Sequence, residues 1–285
     1  MTPAAQAVET PSGKAAAHEN FPVGSWLIRR DLRPHVHVFY RFARQADDVA
    51  DNPRLAPEDK VRRLDRMGAV LDGAPGDDAP SAEAMRQSLI ATGITAEHCH
   101  DVLRAFRMDA TKMRYRDWPD LMEYCRYSAA PVGRQLLDLH GESRDTWPAN
   151  DALCSALQVL NHLQDCAEDY RALDRVYLPA EDLAHCGARV EDLTLSAAPP
   201  RLRQVFDRLL DRTGELVREA RALPPGVRSP GLRRESAIIV NLAERLTEHL
   251  RRGDPLARRI KLRAYDFAAS LLVGCWRGRG IGGPA

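Results

Sequence analysis

The chain has 285 residues, 44% hydrophobic, 28% charged and 6% aromatic, which is ample for a buried core and excludes a disordered or fibrous polymer. Its 41 basic and 40 acidic residues nearly cancel, so no global field recruits nucleic acid as a partner. Six cysteines (Cys99, Cys125, Cys154, Cys166, Cys186, Cys275) lack the spacing of a zinc or redox motif and fit a reducing, cytoplasmic compartment.

Residues 1–17 are small and polar without the apolar stretch of a secretory signal, and read as a disordered tail. From there helix signals dominate. Asp31-Leu-Arg-Pro34 supplies a cap candidate and an early proline, followed by Val36, Phe39, Tyr40, Ala43, Ala46, Val49 and Ala50 at three-to-four spacing. Breaks follow at Asn52-Pro53, 73–80, Gly93, Trp118-Pro119, Gly141, Trp147-Pro148, Pro179, Pro199-Pro200, 224–226 and 253–255. Strand patterns are almost absent, so the spacing predicts an all-α protein. Tyr124-Cys-Arg-Tyr127-Ser-Ala-Ala-Pro131-Val132-Gly133-Arg134 is helix-like but carries proline and glycine in its middle. It reads either as a kinked helix with room beside it or as a junction between two helices. Asn150-Asp151 is a cap candidate for a helix to about Tyr170, on which Leu153, Leu157, Leu160, His162 and Leu163 predict burial. The end is basic, from Arg251-Arg252 to Arg279, suiting phosphates or an anionic membrane surface. Its apolar stretch, 267–276, is about half of what spans a bilayer, so membrane contact is expected to be peripheral. No break resembles a linker. The expected organisation is one domain over 18–277, with 278–285 a flexible tail.

Two acidic clusters carry the chemistry: Asp47-Asp48-x-x-Asp51, and Asn161-x-x-x-Asp165-x-x-x-Asp169. Spacing of i, i+4 stacks these side chains on one helix face, where like charges cost about 0.2–0.5 kcal/mol per exposed pair. A cation relieves that cost. Oxygen ligands without His or Cys suit Mg2+ shared between carboxylates and a substrate diphosphate. Tyr40 and Arg44 precede the first cluster on the same broad stripe, and Gln158 lies one turn ahead of the second. Arg175 and Tyr177 follow just beyond the predicted helix end. His35-Val-His37 and His98-Cys-His100 are poor ligand pairs, because i, i+2 positions on a helix diverge. No GxGxxG, GxSxG, HExxH or Walker pattern is present.

Glu19-Asn-Phe-Pro-Val23, Tyr40 to Asp51, Tyr124 to Arg134, and Asn161 to Asp169 with Arg175-Val-Tyr-Leu-Pro179 together resemble the squalene/phytoene synthase family in order and spacing, from about His18 to Phe267. The resemblance implies an isoprenoid-synthase-type helical bundle around a central apolar cavity, with Phe21, Phe39, Val132 and Gly133 expected at its wall. It assigns Asp47, Asp48, Asp51, Asn161, Asp165 and Asp169 to Mg2+. Arg44, Gln158, Arg175, Tyr177 and Arg259 fall to the diphosphate, and Tyr40, Arg44, Tyr124 and Tyr127 to catalysis. Within the family, the Glu-Asn-Phe-Pro-Val opening and the Ser-Ala-Ala-Pro-Val-Gly-Arg stretch resemble the branch that ionises presqualene diphosphate and captures water, giving hydroxysqualene for hopanoid biosynthesis. Gln164 stands where many family members have arginine, which suits one diphosphate rather than two. The expected pathway partners are a presqualene diphosphate synthase and a flavin-dependent dehydroxylase. The alternatives are a synthase condensing two prenyl diphosphates and, more remotely, a non-catalytic assembly factor on the same fold.

Overall fold

A computed structural model describes residues 8–9 and 27–277, of which the side chains of 272–277 are left aside. Phe21 and the Glu-Asn-Phe-Pro-Val opening lie outside the described residues, as does the expected tail 278–285. The described residues are helical throughout, without a sheet; one isolated bridge joins Arg114 to Val176. Contacts group the described residues into two compact units, those up to 112 with 138–140, and 113–137 with 141–277. Passage between them falls at Lys112 and within a helix, so no flexible linker marks the division in the sequence.

The first unit holds α1 (Arg33–Ala50), α2 (Pro57–Leu71), α3 (Pro80–Thr92) and α4 (Glu97–Thr111). Proline opens α1, α2 and α3, where its missing N–H would have no intrahelical partner anyway. Phe42, Ala46, Val49, Leu64, Met67, Val70, Met85 and Leu103 close its core. Asp31 does not cap α1. Arg29, two residues away, takes its carboxylate at 2.5 Å, and the N-cap is Leu32. Part of the expected N-terminal tail is docked: Val8 donates its N–H to the Asp78 carbonyl, and Glu9 accepts from the Ser81 N–H at 2.7 Å.

The second unit holds α5 (Trp118–Ser128), α7 (Trp147–Leu173), α8 (Ala180–His185), α9 (Pro200–Ala220), α10 (Leu223–Gly226), α11 (Pro230–Arg252) and α12 (Ala264–Arg277). Between α5 and α7, α6 (Ala130–Leu139) runs on from this unit into the residues that join the first. Helix α7 packs on α5, α9 and α11, and α11 on α9, α10 and α12. The Tyr124–Arg134 stretch is thus a junction, broken at Ala129. Helix α7 begins earlier than predicted, at Trp147 with Pro148 in its first turn, so Asn150 is inside the helix and does not cap it. Burial instead turns its amide to the Ala130 carbonyl at 3.3 Å.

Asp192 anchors the 3-10 turn Val190–Thr194 before α9. It accepts from the Arg189 N–H and from both forks of Arg201, at 2.6 and 2.8 Å. Those bonds, Arg201's first, hold its carboxyl down at about 2. A depressed carboxyl stabilises the fold above its unfolded pKa, near ~4, and loses that contribution as pH falls toward the folded value. Thermal melts of Asp192→Asn are therefore expected to show a shallower decline than wild type between those two pH values. Parallel curves would refute the assignment.

Candidate active site

In the first unit, α1 presents Tyr40, Arg44 and Asp47 half-buried on one side, with Asp48 buried and Asp51 as the helix C-cap. Three carboxylates thus gather at the C-terminal end of a helix, where the helix dipole is itself negative and disfavours them. Arg44 offsets part of this, reaching Asp47 at 3.1 Å and Asp48 at 3.0 Å. Phe39, expected at a cavity wall, packs in the core of this unit. The histidine pairs part as helical geometry requires: His35 meets Ser88, His98 meets Asp138 and His100 meets Asp72.

In the second unit, α7 is buried over most of its circumference, but Gln158, Asn161, Asp165 and Asp169 form a half-exposed stripe one turn apart. Arg259 donates to Asp165 at 2.8 Å across 94 residues of sequence. Beside it, buried Gln164 donates its side-chain amide to the Ile260 carbonyl. Two adjacent α7 residues therefore hold the segment that delivers Arg259.

Helix α7 ends at Asp174, whose left-handed backbone (φ 50°) redirects the chain so that the Arg175 N–H still reaches the Asp169 carbonyl. Arg114 braces that turn by donating to the Asp174 carboxylate at 2.6 Å and to its carbonyl. The extended segment carrying Arg114 brings in Tyr115, which sequence reasoning missed. Its pairing with residues 176–181 is non-local and leaves no local pattern. Tyr115, Tyr124, Tyr177 and His162 form one buried aromatic cluster, with Tyr177 stacked on both Tyr115 (5.3 Å) and His162 (3.4 Å). Burial, aided by the Arg175 charge, pushes His162 down to about 3, so its ring is neutral at physiological pH. It exchanges a hydrogen bond with Gln158 at 3.2 Å. Buried Arg175 donates to the Tyr177 hydroxyl at 3.4 Å. Tyr127 is also buried, with Arg126 over its ring.

The Pro131-Val132-Gly133-Arg134 stretch is a packing joint on α7. A Cβ on Gly133 would overlap Asn150 Oδ1 and lie 2.7 Å from Cys154 Sγ, so the expected room beside this glycine is already filled. Arg134 pairs with Asp151 and lies 4.4 Å over the Trp147 ring. Val132, expected at the cavity wall, is exposed. Buried Cys99 and Cys166 and half-buried Cys154 are pushed up to about 12 by desolvation and buried Cys125 rises further, which keeps these thiols protonated and excludes them as nucleophiles at neutral pH.

The donors on the two acidic stripes fit Mg2+: five carboxylates and one amide, no His or Cys, each stripe balanced by an arginine. Among the described residues no three His, Cys, Asp or Glu groups are already gathered at ligating distance. Arg44 and Arg259 draw the carboxylates toward themselves. Each guanidinium is a counter-ion of the kind that also forks onto phosphate oxygens.

Residues 14–266 match the model of squalene/phytoene synthase. The hydroxysqualene synthase of Rhodopseudomonas palustris is 45% identical over 261 residues, covering 92% of this chain and 89% of its own length. That of Zymomonas mobilis is 46% identical over 251 residues, covering 87% and 84%. The crystal structure of squalene synthase HpnC from Alicyclobacillus acidocaldarius superposes with a TM-score of 0.73 at 34% identity, covering 83% of this chain and 89% of that one. The chain belongs to the squalene/phytoene synthase family.

Proposed function

We propose that the protein is a hydroxysqualene synthase, which ionises presqualene diphosphate, lets the cation rearrange and captures water to release hydroxysqualene and diphosphate. The observation that carries this reading is identity of 45–46% to two hydroxysqualene synthases along nearly the whole of each chain. The residues support it in detail. Asp47, Asp48 and Asp51 on α1 and Asn161, Asp165 and Asp169 on α7 would hold Mg2+, which when bound supplies positive charge to a departing diphosphate. Arg44 and Arg259 are the cations adjoining those carboxylates, and stabilise negative charge as it grows on the leaving group. Tyr124 and Tyr127 offer aromatic faces to a carbocation, worth about 0.5–2 kcal/mol each, while Tyr177, stacked on Tyr115 and His162, braces their cluster. Gln158 orients neutral His162, and Arg175 fixes the Tyr177 hydroxyl.

The reading expects purified protein with Mg2+ and presqualene diphosphate, in heavy-oxygen water and without nicotinamide, to form hydroxysqualene carrying the label. An unlabelled product, or consumption of farnesyl diphosphate into a condensed hydrocarbon instead, would assign the protein to the condensing synthases. The pathway partners expected under this reading are an upstream presqualene diphosphate synthase and a downstream flavin-dependent dehydroxylase.

A further inference from the structure

The solvent side of α12 is the reverse of an ordinary surface helix. Over 264–271, the part of this helix whose side chains are described, the exposed positions are Ala264, Tyr265, Ala268 and Leu271, with no charge among them. Tyr265 is 52% and Leu271 43% exposed, although soluble helices normally turn charged residues outward. The segment entering this helix exposes Arg258, Lys261 and Arg263, and none of the three forms an ion pair among the described residues. Arg263 lies over the Tyr265 ring at 5.9 Å. By contrast Arg251 and Arg252, one turn earlier, are neutralised by Asp211 and Glu248. The sole acid after residue 254 is Asp266. It is buried, and takes Arg245 at 3.3 Å, His249 at 3.0 Å and the Arg263 N–H at 2.8 Å. Inward withdrawal of that one carboxylate leaves Arg258, Lys261 and Arg263 as the exposed charges described over 255–271, beside the apolar Tyr265 and Leu271.

We infer that this face docks on an anionic phospholipid bilayer, with Tyr265 and Leu271 in the interface and Arg258, Lys261 and Arg263 on the headgroups. Charge complementarity selects that occupant. A second copy meeting the same face would bring like charges together, whereas anionic headgroups supply the missing acids. Tyrosine suits the headgroup level, aliphatic side chains the acyl boundary, and basic residues the negative surface potential. No described helix is long and apolar enough to cross a membrane, so the contact is peripheral.

Cosedimentation of the full chain with vesicles, in the absence of substrate, tests this independently of the proposed activity. Vesicles of phosphatidylcholine with about one third phosphatidylglycerol should take up the protein, and pure phosphatidylcholine should take up far less. The triple variant R258Q/K261Q/R263Q should lose on the order of a hundredfold in partition, from about fivefold per basic residue near the surface. The double variant Y265S/L271S should bind more weakly and come off at lower salt. Both variants should keep the wild-type melting temperature and turn over detergent-dispersed substrate as wild type does. Equal uptake by both vesicle types, or unchanged uptake of the triple variant, would overturn the inference. Self-association through Tyr265 and Leu271 without vesicle uptake would assign the face to a second copy and overturn it equally.

Discussion

Substituting Asp165 with Asn is expected to reduce Mg2+-dependent turnover of presqualene diphosphate by roughly a hundred- to a thousandfold, the scale for removing one preorganised electrostatic contact from a reacting centre. The change is nearly isosteric, so the fold should survive it. Asp165 sits in the middle of the half-exposed α7 stripe and already faces one cation, Arg259, at 2.8 Å. Its amide version is a far weaker ligand for a hard ion, so the Mg2+ concentration for half-maximal rate should rise. Arg259→Gln should behave differently, weakening diphosphate binding while leaving the Mg2+ requirement nearly as it was. If Asp165 served merely as the structural partner of Arg259, the two variants would share one phenotype. An unchanged Mg2+ requirement in Asp165→Asn would remove it from the ligand set.

Gly133→Ala should destabilise the protein by about 3 kcal/mol, at the upper end of the usual range for overpacking, and lower Tm by roughly 6–12 °C. The added methyl would overlap Asn150 Oδ1 and press on Cys154 Sγ, both on α7. Neither neighbour can retreat easily. Asn150 is buried and bonded to the Ala130 carbonyl, and Asp151 next to it is held by Arg134. Gly214→Ala in α9 supplies the contrast, since its Cβ would meet nothing closer than Arg251 Nη2 at 3.8 Å. There the helix should gain about 0.5–1 kcal/mol through lower unfolded-state entropy. Differential scanning calorimetry of the two variants side by side reads both signs. A neutral Gly133→Ala would mean that α6 and α7 do not approach as closely as described.

Local punctuation was the most legible part of this fold. Proline acts through its own ring and glycine through its own missing side chain, so the breaks from Asn52-Pro53 to 253–255 fall at helix boundaries, except 224–226, which make up most of the single-turn α10. Stop and start share the same letters, however. Trp147-Pro148 reads as an ending but opens α7, because a proline in a first turn removes no helical bond. The Asp31 cap failed because a hydrogen-bond acceptor also needs to be unclaimed, and Arg29 claims it. The acidic stripes were readable because helical periodicity alone places Gln158, Asn161, Asp165 and Asp169 together. What spacing could not supply is the pairing of Arg259 with Asp165, 94 residues apart, or the arrival of Tyr115 beside Tyr177. Arg259 was reached through family resemblance, and Tyr115 was not reached at all.

Gln164 distinguishes this chain's second acidic motif from those carrying arginine, and its bond to Ile260 makes that difference a coupled one. The side chain is only 3% exposed and its amide is engaged by a backbone carbonyl immediately after Arg259. A guanidinium at that position would arrive longer and permanently charged against the Ile260 carbonyl, a neutral acceptor, where burying a charge is costly. It would fit only if the 256–263 segment moved away, taking Arg259 with it. Position 164 and the segment that carries Arg259 are therefore coupled, so a larger side chain at Gln164 calls for a matching change in 256–263.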